Sequence, residues 1–270
     1  MDMLYRLKIA LLTFALSACG AAGAASTTNF SDQWWNADES GWGASVLQQR
    51  DVLFVDLFVY GSDGKPTWFT AAASHQGTNS AGHEVFSGTL NQTVGPYYGG
   101  AFDPAAVGYR AVGTLTFEAD TVTRATLSYS VDGTQIVKRV TRQLWRYENI
   151  AGDYLGGLVV DTSGCVGSTG TEHVEFTAFI RITHATDDAA TIVFELPGSS
   201  SCTLAGAYTQ AGHMGAVTGR LSCAGEAGSS AATAFEIERS ISAISGRFTA
   251  ASDPGGDNCR SVGRFGGVLR

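Results

Sequence analysis

Charge is scarce in this chain, and so is proline. Of the 270 residues 16% are charged, against about 25% in an average globular protein, and 5 are proline. A disordered chain is rich in charge and poor in apolar residues, so a hydrophobic content of 44% argues against disorder. The 34 glycines follow no three-residue period, which excludes collagen. After residue 18 no apolar run approaches the roughly 20 residues of a membrane-spanning helix. No stretch carries a 3.6-residue apolar period. C-x-x-C, G-x-S-x-G, H-E-x-x-H and phosphate-binding glycine loops are all missing. What is there is a glycine-rich, β-forming chain long enough for one or two cored domains.

The N-terminus carries an export pattern. Arg6 and Lys8 precede the apolar run Ile9-Ala10-Leu11-Leu12-Thr13-Phe14-Ala15-Leu16, which is too short to span a bilayer. The run ends in Leu16-Ser17-Ala18-Cys19, which resembles the lipobox of bacterial lipoproteins. The resemblance implies a signal peptide over residues 1–18, an acyl group such as palmitate on Cys19, and a tether over 19–29. The membrane is then a partner through the lipid anchor, each buried CH₂ contributing roughly 0.8 kcal/mol. Gly20, where relatives retained at the inner membrane carry aspartate, implies the outer membrane. Cleavage at Ala22-Gly23-Ala24 is the alternative and would leave a free protein. Losing Asp2, Arg6 and Lys8 leaves 15 basic against 24 acidic side chains, a net of −9. That balance argues against nucleic acid as a partner.

Tryptophan and cysteine divide the chain. Trp34, Trp35, Trp42, Trp68 and Trp145 lie in the first 145 residues, whereas Cys165, Cys202, Cys223 and Cys259 lie in the last 106. The division predicts a Trp-rich β-module over 30–147 and a disulfide-containing one over 148–270. Val52 to Tyr60 is β-branched and aromatic, and Gly61-Ser62-Asp63-Gly64-Lys65-Pro66 closes it with turn chemistry. Asp132-Gly133 marks a two-residue hairpin. Six or seven strands are expected between Gly41 and Arg146. Eight are expected in the second module: Tyr154–Val160, Glu172–Thr183, Thr191–Leu196, Cys202–Thr209, Gly215–Cys223, Ala232–Ser240, Ser245–Ala251 and Ser261–Leu269. The fold class is therefore all-β, with two antiparallel β-meander modules, the second a small eight-stranded barrel. Gly206-Ala207-Tyr208, Gly219-Arg220-Leu221 and Gly246-Arg247-Phe248 give that module a texture similar to lipocalin and avidin barrels, from which no ligand residue carries over.

With Cys19 set aside, four cysteines allow three pairings. In a meander, alternate loops fall at one end, which places all four cysteines together. Cys202 and Cys223 are equidistant from a turn near Gly212-His213 and so face each other. Closure brings the eighth strand beside the first, and with it Cys259 towards Cys165. The expected pairs are Cys202–Cys223 and Cys165–Cys259; the sequential pairing would suit an open sandwich.

The most distinctive run is Trp34-Trp35-Asn36-Ala37-Asp38-Glu39-Ser40-Gly41-Trp42-Gly43. It resembles a W-W-N-x-x-E-S-G-W-G element that opens a β-module in secreted and surface proteins of Gram-negative bacteria. Tyr60 to Trp68, Val131-Asp132-Gly133 and Arg142-Gln143 extend the likeness over residues 30–146. The family offers no functional residue to transfer, and Ala37 departs from its usual proline. Three tryptophans with nearby carboxylates could form a sugar-binding platform, but the preferred reading is a plug for the open end of a glycine-rich barrel. Asp56 sits mid-strand on the face of Phe54, Phe58 and Tyr60, so an ion pair with Lys138, Arg139 or Arg142 is expected. If Asp56 and Glu39 converged, a paired-carboxylate glycan hydrolase would be the alternative. His75, His83, His173, His184 and His213 are scattered and read as surface residues. The function expected is non-catalytic: binding or accessory interaction in the envelope, with a glycan or an envelope protein as partner and no cofactor or metal. Trp34, Trp35, Glu39, Trp42, Asp56 and Trp68 are the candidate contact residues, and a purely structural lipoprotein is the third reading.

Overall fold

Alternation of inward and outward residues, broken by turns and by register shifts such as those at His75/Gly77 and Phe235/Glu238, folds the described residues into sixteen antiparallel strands. A computed structural model describes residues 28–166, 170–225, 228–251 and 258–270. The signal peptide, Cys19 and the tether up to residue 27 lie outside the described residues. The first eight strands are β1 (Asp32–Trp35), β2 (Gly43–Gln49), β3 (Val52–Tyr60), β4 (Pro66–Thr78), β5 (Glu84–Val94), β6 (Gly108–Thr121), β7 (Arg124–Val131) and β8 (Thr134–Arg142). The second eight are β9 (Gly152–Ser163), β10 (Glu172–His184), β11 (Ala189–Glu195), β12 (Ser201–Ala211), β13 (Met214–Cys223), β14 (Ser230–Arg239), β15 (Ala243–Ala251) and β16 (Arg260–Leu269). Each set closes on itself as an up-and-down barrel. In the first, Trp34 on β1 lies opposite Arg142 on β8; in the second, β16 runs beside β9 from Arg260↔Ser163 to Leu269↔Tyr154.

Local chemistry explains the turns and the curvature. Asp132 and Gly133 take φ of 48° and 88°, the left-handed pair that a two-residue hairpin requires. In the second barrel Gly206 faces Gly219, and a Cβ on either would lie about 2 Å from a carbonyl oxygen of the neighbouring strand. Only glycine lets these strands coil so tightly.

The two interiors differ. In the first barrel Leu53, Val55 and Leu57 point inward and are sealed, while Phe30, Phe86 and Phe117 fill the centre with ring centroids 5.7 Å apart from Phe30. In the second, the half nearest Tyr154 is packed solid by Tyr154, Ile180, Ile182, Ile192, Val217 and Ile237. Tyr208, His184 and Tyr147 stack across that end, with centroids 4.5 Å apart for His184 and Tyr208 and 5.6 Å for Tyr147 and Tyr208. The other end carries both disulfides. Cys202 bonds Cys223 and Cys165 bonds Cys259, as the closed meander requires.

The chain also divides into two compact units that do not follow the barrel boundary. The second unit holds Asp32–Gly43 and Val122–Arg124 together with Val140–Arg270. A charge network joins residues within that unit. The Asp32 carboxylate accepts hydrogen bonds from His213 Nδ1 at 2.8 Å, the His213 backbone N–H at 3.1 Å and Arg142 at 3.2 Å. His213 Nε2 faces Glu238 at 3.4 Å. Gly212, before His213, has φ +58°, and any side chain there would overlap the Asp32 carboxylate.

Candidate functional site

The second barrel is hollow at its disulfide end. Inward positions there are mostly small or aliphatic: Leu158, Val160 and Thr162 on β9, Val174 on β10, Leu204 on β12, Ala232 on β14 and Ala250 on β15, with Phe176 of β10 the aromatic among them. Ala232 and Ala250 face each other across β14 and β15, so two adjacent strands contribute only methyl groups at that level. The space left open is a cavity of about 860 Å³, within the range of about 300–1,000 Å³ typical of small-molecule sites.

Its floor is aromatic. Phe194 lies 6.3 Å from Phe248 and meets Phe265 edge to face at 5.4 Å, which closes the packed half of the barrel. Its mouth is lined by hydroxyls and by the disulfides. Thr162 and Ser261 face each other in register, their hydroxyl oxygens 2.9 Å apart. Ser200, Ser201, Ser222, Ser229 and Ser230 complete the rim beside Cys202–Cys223 and Cys259. No Asp, Glu, Lys, Arg or His lines the cavity among the described residues. The arrangement can hold an apolar body and hydrogen-bond a polar end. Among the described residues its lining holds hydroxyls and no ionisable side chain.

The residues singled out in the sequence lie elsewhere. Trp34 is fully buried with the Arg142 guanidinium 4.8 Å from its ring centre, so its faces are closed to a sugar. Trp35 and Trp42 are half-buried, and the Trp42 indole N–H donates to Glu39 at 3.0 Å. Trp68 is exposed on the outer face of β4, opposite Phe58 of β3, and its N–H donates to Thr93 at 3.1 Å. Asp56 corrects the expected ion pair. It points outward between exposed Phe54 and Phe58 and has no ion-pair partner among the described residues, because its strand face is open to water rather than packed. Arg142 is committed to Asp32 instead.

The histidines also depart from the surface reading. The side chains of His184 and His75 are only 3% and 6% exposed, His75 packing against Phe86 and pairing with Glu84. His83 contacts Glu118 at 2.7 Å and Asp120 at 3.8 Å on the outer face of the first barrel. His173 bridges Asp161 and Glu175 on the outer face of the second; the Asp161 bond is the main cause that raises its pKa.

His213 is the strongest titration signal. Its hydrogen bond to Asp32, then that to Glu238, raise its pKa to about 9 from 6.5, against the opposing effect of burial. Burial pushes the Asp32 carboxyl up, but the His213 and Arg142 hydrogen bonds outweigh it and hold the group below the usual carboxylate range. A raised folded pKa on His213 means stabilisation that is complete below about 6.5 and lost as pH climbs through about 9. For a side chain 38% exposed, solvent screening reduces this to roughly 1–2 kcal/mol. The urea midpoint is therefore expected to fall between neutral pH and pH ~9–10, and His213→Gln to flatten that slope. A slope unchanged in the variant would remove His213 as its source. Tyr147, raised to about 12 first by burial and then by its bond to Asp188, titrates above this window.

Comparisons with protein-family models, curated proteins and solved structures return no match. The cavity is the functional feature that sequence reasoning missed. Its signal was present only in part, as the small residues Ala232, Ala250 and Ser261 at the cysteine ends of β14, β15 and β16.

Proposed function

We propose that the protein is a non-catalytic binding protein whose second barrel holds a small, largely apolar molecule. The cavity of about 860 Å³, walled by aliphatic and aromatic side chains and rimmed by hydroxyls, is the observation that carries this reading. A purely structural barrel gains stability from a filled interior, since each unfilled volume forfeits dispersion contacts. Here one half of the same barrel is filled and the other is not. The two disulfides hold the open half in shape where packing cannot. They also suit an oxidising compartment, which agrees with the export pattern of residues 1–18 and with a lipid-anchored outer-membrane address through Cys19.

Binding is tested with N-phenyl-1-naphthylamine, an uncharged dye whose emission rises in apolar surroundings. Titration into the purified, oxidised protein is expected to give saturable emission at one dye per chain. A linear, non-saturating response would sink the proposal.

A further inference from the structure

We infer that the cavity selects an uncharged amphiphile, one with an apolar body and a hydroxyl, ester or ketone head, over a carboxylate of equal length. The inference rests on the binding reading just given and adds the chemistry of the ligand's polar end.

The walls set the body. From Leu158 at the floor to Thr162 at the rim is four residues of β9, roughly 13 Å along the strand and about 10 Å in depth once barrel tilt is allowed for. Along that depth the inward side chains are Leu158, Val160, Phe176, Leu204 and Phe248, with no polar atom of their own to offer. A linear chain of about ten carbons or a pair of fused rings matches this depth.

The rim sets the head. Thr162 and Ser261 hydrogen-bond each other, so one hydroxyl is spent as donor and the other keeps a free O–H. The pair can thus donate one bond and accept others, which suits a hydroxyl, carbonyl or ester oxygen. It cannot neutralise a charge. Among the described residues no Lys, Arg or His lines the cavity or its mouth. Arg260, between Cys259 and Ser261, is exposed and does not line the cavity, and exposed Arg220 spends its Nε and NH2 on Ser229. A carboxylate head would also enter the field of a chain with net charge −8. Moving an unpaired carboxylate to this site costs free energy that an alcohol or ester does not lose.

The experiment displaces N-phenyl-1-naphthylamine with decanol, methyl decanoate and decanoate at mildly alkaline pH. Decanol and the ester are expected to displace the dye at concentrations at least about tenfold lower than decanoate. Lowering the pH until decanoate is protonated should close that gap. Thr162→Lys, which adds a cation at the rim, is expected to improve decanoate displacement and leave decanol no better; Ser261→Lys is the substitute should the first variant fail to fold. Equal or tighter binding of decanoate by the unaltered protein overturns the inference while the binding reading stands. Failure of either lysine variant, once folded, to favour decanoate would overturn the placement of the head at the rim. Absence of saturable dye binding overturns the binding reading itself and is distinguishable from both.

Discussion

Replacing Arg142 with methionine is expected to destabilise the protein by about 3–5 kcal/mol, measured as the urea-unfolding free energy. The side chain is wholly buried and does three things at once. It donates to Asp32 at 3.2 Å, donates through Nε to the Val122 carbonyl at 2.7 Å, and covers the face of Trp34 at 4.8 Å. Methionine can replace the covering, since it is apolar and of similar length, but neither hydrogen bond. The Asp32 carboxylate, 9% exposed, would keep His213 as its one cationic partner among the described residues. Breaking one side of a buried pair costs more than removing both, because the surviving charge has lost part of its compensation and has little access to water. The double variant Asp32→Asn, Arg142→Met should therefore lose less than the sum of the two single variants. A loss below ~1 kcal/mol in the single variant, or strict additivity in the pair, would show that the network contributes no more than a surface ion pair.

That network could not be read from the sequence. Asp32 and His213 are 181 residues apart, and nothing in the local pattern of either announces the other. Arg142 was drawn towards Asp56 in the sequence reading because Asp56 sits on an apolar-looking strand face. The face is apolar in composition yet open to water, with Phe54 and Phe58 each about 40% exposed on either side of Asp56. Hydrophobicity by itself does not separate the inside of a barrel from an exposed aromatic row outside it.

Closure and disulfide pairing were legible because they follow from alternation and counting. If the eight-strand meander closes, its first and last strands meet and cysteines in alternate loops share an end, and the second barrel does both. The first barrel shows the limit of counting. Its short β1 ends in the Trp34-Trp35 pair, which reads as a motif rather than a strand, yet it supplies the edge that pairs with β8. The aromatic first half and the small-residue second half were visible as composition. Their consequence was not: bulky inward residues fill one barrel, and small ones leave space in the other.

Filling that space is expected to abolish ligand binding without unfolding the protein. Ala232→Phe places a ring opposite Ala250, in the part of the barrel that holds the cavity. Dye affinity should fall at least about a hundredfold, equivalent to roughly 3 kcal/mol. Stability should stay level or rise, since new dispersion contacts form where none existed. Ala178→Phe is the contrast. Ala178 is 1% exposed, points inward from β10 into the packed half, and does not line the cavity. Overpacking there is expected to cost about 1–3 kcal/mol. The two substitutions are chemically identical and differ only in which half of one barrel receives the ring. A hollow designed to be occupied gives opposite signs for stability and a loss of binding confined to Ala232→Phe. Equal destabilisation by both would mean that the inner wall closes around its own side chains in solution, and the second barrel would then be a core like the first.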